Sequence, residues 1–242
     1  DGDVVKAKNG QTGRVEFSDK DAATVIQQAI DALPDTGGMI FIRAGTYLLR
    51  DLDGDGYCLT INKENVWLIG ERGAILKLAD GVFNEGAWTS TTHYMLRLDG
   101  NVHRYCVVSG LTFDGNRTNN NEVNGLMIRA NADDRSRRHL IIGNVFMNIH
   151  GHPVYTNQLA DSIIAENIFY NNTWYDIAFD SYSQRNTARD NIIIQGIGLE
   201  VHNESHYNEF IGNVIVDQGL DVNGGVRSAI IAMYRTIIKE NI

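Results

Sequence analysis

Apolar and polar residues alternate in short bursts along the second half of the chain, and five bursts are near copies of one another. They are Leu140-Ile-Ile-Gly-Asn144-Val-Phe146, Ser162-Ile-Ile-Ala-Glu-Asn167-Ile-Phe169, Thr187-Ala-Arg-Asp-Asn191-Ile-Ile193, Glu209-Phe-Ile-Gly-Asn213-Val-Ile215 and Thr236-Ile-Ile-Lys-Glu-Asn241-Ile242. Their asparagines fall at intervals of 23, 24, 22 and 28 residues. A period in the low twenties with alternating β-branched residues predicts a solenoid of stacked β-coils. A single coil of about 22 residues cannot bury its own apolar face, so successive coils must share one core. The repeated asparagine has a physical task, because stacked amides can hydrogen-bond along the axis.

The first half is less regular. Ser18-Asp-Lys-Asp21 reads as a variant capping box ahead of a helix from Ala22 to Leu33, with Ala22, Val25, Ile26, Ala29, Ile30 and Leu33 on one face. Pro34-Asp-Thr-Gly-Gly38 stops it, and Met39 to Ile42 begins the first strand. The pattern predicts one domain over residues 1–242. Residues 18–34 form a helix that covers the open end, 35–124 form irregular coils with loop insertions, and 125–242 form regular coils. Trp67 is expected inside a core strand. The chain stops at Asn241-Ile242 within a repeat, and the expectation is that a further subunit or continuing chain stacks on that end.

Composition narrows the classes. The net charge of −9 argues against a nucleic-acid partner. No run of 18 apolar residues is present, so no membrane-inserted helix is expected. Cys58 and Cys106, the two cysteines, sit in apolar strand-like surroundings and are read as buried free thiols. Two prolines and 24 glycines suit short strands and tight turns.

Residues 21–50 carry a further signal. Thr24-Val-Ile-Gln-Gln-Ala-Ile-Asp-Ala-Leu33 followed by Gly37-Gly-Met-Ile-Phe-Ile-Arg-Ala-Gly-Thr-Tyr47 resembles the amino-terminal segment of the pectate-lyase-like superfamily, with Arg43 where that group usually has proline. The resemblance implies an all-β fold, a right-handed parallel β-helix, and a polysaccharide partner met outside the cell or on a cell or virion surface. His150-Gly-His-Pro-Val-Tyr155, with Asp176 and Asp180 on the next coil, is similar to the "YGFDPH" segment and following aspartate of bacterial alginate epimerases and lyases. The aspartate inside that segment has no counterpart here. This likeness implies roles for His152, Tyr155 and Asp180.

Aligning each coil on the asparagine that closes it, and counting back 12 residues, turns Tyr155, Phe179 and Val201 inward. The outward positions then include Arg129, His152, Asp176, Asp180, Glu200 and His202, with Tyr182, Glu204, His206 and Tyr207 at the edge. Removing the C5 proton of a uronate needs a base, a partner for the carboxylate and a second proton donor. The expected catalytic set is His202, Asp180, His152, Arg129 and Asp176. Glu200, Tyr182, Trp88 and His206 are expected to bind substrate. Two other readings stand beside it: a glycoside hydrolase using Asp180, Glu200 and Asp176, and a non-catalytic carbohydrate-binding or surface solenoid. A Ca²⁺ ion would be held by Asp176, Asp180 and Glu200. Asp51-Leu-Asp-Gly-Asp-Gly56 has the opening of an EF-hand loop but Asn62 where the closing glutamate belongs, and is read as a polar turn.

Overall fold

The computed structural model describes residues 4–83, 93–99, 104–121, 123–130, 136–217, 229–232 and 235–242. Among the described residues three long parallel sheets run along one axis, beside a two-stranded parallel pair of Ser136–Arg137 with Leu159–Ala160. Sheet I stacks eight strands, from Gly38–Ile42 through Val66–Gly70, Val107–Ser109 and Leu140–Ile142 to Ile237–Lys239. Sheet II stacks seven, from Gly45–Leu49 to Val214–Val216, and sheet III seven, from Tyr57–Ile61 to Ile230–Ile231. The chain visits sheets I, II and III in turn and then begins the next coil, which is the connectivity of a parallel β-helix.

The corners explain the repeat motif. In each regular coil the residue before the repeated asparagine is left-handed: Gly143 (φ 65), Glu166 (φ 55), Asp190 (φ 55), Gly212 (φ 63) and Glu240 (φ 54). One such residue bends the chain from sheet I into sheet II, and it turns the next side chain into the bend. There the amides form a continuous ladder. Asn144, Asn167, Asn191 and Asn213 each donate Nδ2 to the Oδ1 of the next asparagine at 2.9–3.1 Å. Their Nδ2 groups also reach carbonyls of the preceding coil, as in Asn191 Nδ2 to Ile164 O at 3.0 Å. The amides thus satisfy backbone groups that the bend buries.

A second ladder, less visible in sequence, lines the corner from sheet III into sheet I. Cys106 N donates to His139 Nδ1, His139 N to Ser162 Oγ, Ser162 N to Asn186 Oδ1, and Asn186 N to Asn208 Oδ1, all at 3.0–3.2 Å. Three residue types, His, Ser and Asn, supply the acceptor, so no repeated letter marks it. Inside, Phe113, Phe146 and Phe169 stack with ring centroids 4.9 and 5.2 Å apart.

The helix α1 spans Ala22–Asp31, two residues shorter than expected. Its cap is the Asp21 carboxylate, which accepts from Thr24 N at 2.9 Å, while Ser18 lies in the strand Val15–Asp19. Ala23, Ile26 and Ile30 join the core. Gln27 pairs with the edge strand of sheet III as a neighbouring strand would: Nε2 donates to Thr60 O at 3.0 Å and Oε1 accepts from Thr60 N at 2.8 Å.

Trp67 corrects the sequence reading. Its neighbours Val66 and Leu68 are fully buried, and alternation puts the indole outside, 51% exposed. Cys58 and Cys106 are free and buried. Among the described residues no helix is long and apolar enough to cross a membrane.

Candidate functional site

The outer face of sheet III gathers the chemistry. Register places Thr60, Arg97, Met127, Tyr155, Ala178 and Glu200 in one row along the axis. The next outward row holds Arg129, Asn157 and Asp180, with His202 following Val201, the partner of Phe179.

This register overturns the inward placement of Tyr155. Val154 and Thr156 are the fully buried pair of that strand, and Thr156 Oγ1 donates to Ala178 O at 3.0 Å. The cause is one residue in a turn. The coil carrying Tyr155 leaves sheet III through a single left-handed residue, Gln158, whereas the next two coils use pairs, Ser181–Tyr182 and Asn203–Glu204. Counting back a fixed 12 residues therefore slips by one in the shorter coil, and the slip reverses every face.

Tyr155, now outward, donates its hydroxyl to Asp180 Oδ2 at 2.8 Å. Asp180 Oδ1 accepts from Ser181 N at 2.5 Å. Burial, and then the Asp180 charge, push the Tyr155 phenol well above its ordinary value, so it stays protonated. The His152 ring lies 5.2 Å from the Tyr155 ring and meets the edge of Trp174 at 6.0 Å. His152 is buried rather than solvent-facing, and burial lowers its pKa to about 4. Its Nδ1 is 3.0 Å from Tyr175 O, an acceptor, so the neutral ring carries its proton there and keeps a lone pair on Nε2.

Asp176 does not face solvent as expected. Its carboxylate is fully buried in the approach to sheet III, where Oδ1 accepts from Asn172 Nδ2 at 2.9 Å and Oδ2 from Gly198 N at 3.0 Å. A Cβ at Gly196 would lie 2.3 Å from Asp176 Oδ2, so the turn closes directly on this group. Burial raises its pKa to about 7. Asp176 thereby leaves the expected catalytic, hydrolytic and calcium sets.

Among the described residues, the acidic group whose ligand atoms come within 4.8 Å of one another is Asp51, Asp53 and Asp55; Asp176, Asp180 and Glu200 do not form one. Asp51 spends both oxygens on Gly54 N and Gly56 N, as a polar turn would. Tyr182 and His206 sit on the corners after sheet III rather than on its face, Tyr182 48% exposed. Trp88 lies outside the described residues.

Tyr57, Tyr94 and Arg97, which sequence reasoning passed over, extend the same face toward the amino end. The tyrosine rings stack at 5.9 Å, and the Arg97 guanidinium lies 3.9 Å over the Tyr57 ring and touches Asp99. They occupy the irregular coils, where no asparagine anchors a count. A shallow depression of about 780 Å³ lies elsewhere, over Trp67, Tyr105 and Arg138 beside sheet I, away from these converging groups.

Comparison of folds places the chain beside two solved structures. The A-module of mannuronan C-5 epimerase AlgE6 from Azotobacter vinelandii superposes with a TM-score of 0.71 at 22% identity, covering 82% of this chain and 53% of that one. The A-module of mannuronan C-5 epimerase AlgE4 from the same organism superposes with a TM-score of 0.56 at 18% identity, covering 91% and 73%. The protein is thus a parallel β-helix of the kind those modules adopt, and it spans about half the length of the AlgE6 module. No protein-family model and no curated protein sequence matches the chain.

Proposed function

We propose that the protein acts on a uronate-containing polysaccharide by removing the C5 proton, as an epimerase or a lyase. The observation that carries this reading is the Tyr155–Asp180 hydrogen bond with a neutral imidazole beside it, on the outer face of sheet III. The likeness of the fold to mannuronan epimerase modules supports it. In this reading His152 takes the C5 proton on Nε2. Tyr155 returns a proton to the ring or to the leaving glycosidic oxygen, and Asp180 holds the phenol in place. Arg129 faces the substrate carboxylate, and His202 and Glu200 lie further along the same face. The polymer is met outside the cell or on a cell or virion surface, and α1 covers the amino-terminal coil so that sheet III keeps a paired edge.

The test is incubation with mannuronan and with pectate-type polyuronates. Unsaturated product would appear in absorbance, or inverted ring configuration in NMR spectra. A chain that produces neither from any polyuronate is not this enzyme.

A further inference from the structure

The chemistry above leaves the buried Tyr94 phenol unused. Tyr94 opens the strand Tyr94–Leu98 of sheet III and is fully buried. Its ring stays out of the interior core and belongs to a separate cluster with Met127, Tyr155 and Ala178, with Tyr57 packed against it. Among the described residues the Tyr94 hydroxyl has no hydrogen-bond partner. A buried hydroxyl without a partner costs free energy, and phenylalanine would fill the same space without that cost. Such a group calls for a partner that arrives from outside.

Its surroundings indicate which partner. The side chains that act electrostatically on Tyr94 are Tyr155, Tyr57, Arg129 and Asp180, those of the candidate site and its extension. Burial raises the phenol well above its ordinary value, so the hydroxyl holds its proton and offers it as a donor. A neutral donor within the field of an exposed guanidinium suits an anion with acceptor oxygens. On a uronate that anion is the carboxylate, the group whose charge must be offset before C5 becomes acidic.

We propose that the Tyr94 hydroxyl donates a hydrogen bond to the carboxylate of the uronosyl residue bound beside Arg129. The assignment rests on the uronate reading given above. Reaching the hydroxyl requires the half-buried Tyr57 ring and the Arg97 guanidinium stacked on it to shift aside.

Tyr94→Phe removes one oxygen and tests this. Binding of an oligomannuronate and of its methyl ester is measured by titration calorimetry, and turnover of mannuronan is followed in parallel. The variant should bind the free acid about 10- to 100-fold more weakly than the wild type, as loss of a hydrogen bond to a charged group predicts. Its loss of affinity for the ester, whose carbonyl is an uncharged and weaker acceptor, should be several-fold smaller, and its thermal midpoint should stay level or rise. Equal affinity of the two proteins for the acid overturns the proposal, and so does an equal loss for acid and ester. A markedly lower midpoint also counts against it, because the hydroxyl would then have a partner in the fold. A wild type that binds neither ligand brings down the uronate reading itself, an outcome distinct from wild-type binding that the variant retains.

Discussion

Asp176 and His152 show how much a buried titratable group can say about the molecule before any substrate is considered. Asp176 keeps its proton to about pH 7 in the fold, against an ordinary value of 3.8. Between those values the folded protein binds a proton the unfolded chain has lost, so stability falls as pH rises through that window. His152 works in the opposite direction. Its folded value of about 4 lies below the ordinary 6.5, so stability falls as pH drops from about 6.5 to about 4. From about pH 4 to 6.5 the two slopes cancel. Asp176→Asn removes one and exposes the other: the variant's unfolding free energy should climb by about 1.4 kcal/mol per pH unit across that range. Urea titrations at several pH values check it, and a variant as flat as the wild type contradicts the burial assigned to one of the two groups. In the proposed reading Tyr155→Phe removes the proton donor and Asp180→Asn the carboxylate that holds it, and each is expected to lower kcat/KM at least about 100-fold with near-native circular dichroism. At this scale the sequence was legible for Arg129, Asp180 and His202, which share a row with strict alternation. It failed at Tyr155 because a one-residue difference in turn length leaves no mark on the hydrophobic pattern, and at Asp176 because a carboxylate spent on a turn looks like one spent on substrate.

The coil is the element that the sequence describes best, and the asparagine ladder is the reason. Asn191 is fully buried; its Oδ1 accepts from Asn167 N and Asn167 Nδ2, and its Nδ2 donates to Ile164 O and Asn213 Oδ1. Asn191→Ala strands several of these groups without water. At about 1–3 kcal/mol for each unsatisfied buried group, the loss should reach about 3 kcal/mol or more. Phe146→Ala, in the middle of the aromatic stack, should cost about 3–5 kcal/mol through the cavity it leaves. Denaturant midpoints at constant slope give both numbers, and the comparison matters more than either. If Asn191→Ala is nearly silent while Phe146→Ala is severe, the ladder is a by-product of stacking rather than a support for the corners. The repeated asparagine was readable because one residue type recurs. The second ladder, through Cys106, His139, Ser162, Asn186 and Asn208, was not, because any side chain with a suitable acceptor atom can serve at that corner. The helix cap was misplaced for a similar reason: Ser18 and Asp21 both offer a capping oxygen, and only the strand that claims Ser18 decides between them.

For the whole molecule, charge and proposed substrate pull against each other, and the conflict can be measured. The chain carries a formal charge of −9, and a polyuronate is itself a polyanion. Repulsion between them acts over the full surface, whereas the attraction assigned to Arg129 is local. Salt screens the long-range part first, since the Debye length falls from about 30 Å at 0.01 M to about 8 Å at 0.15 M. Contacts made at a few ångströms inside a partly buried site are screened much less. The association rate of an oligomannuronate should therefore rise as sodium chloride increases from about 0.01 to about 0.15 M, while the dissociation rate changes little. This is the reverse of the behaviour of a basic protein on a polyanion. Stopped-flow binding in the presence of a chelator isolates the effect from any bridging divalent cation, and a second series with Ca²⁺ at matched ionic strength shows what such a bridge adds. An association rate that falls with salt in the chelated series would mean that a basic surface steers the polymer, and the binding site would then have to be sought on a different face from the one that Tyr155 and Asp180 mark.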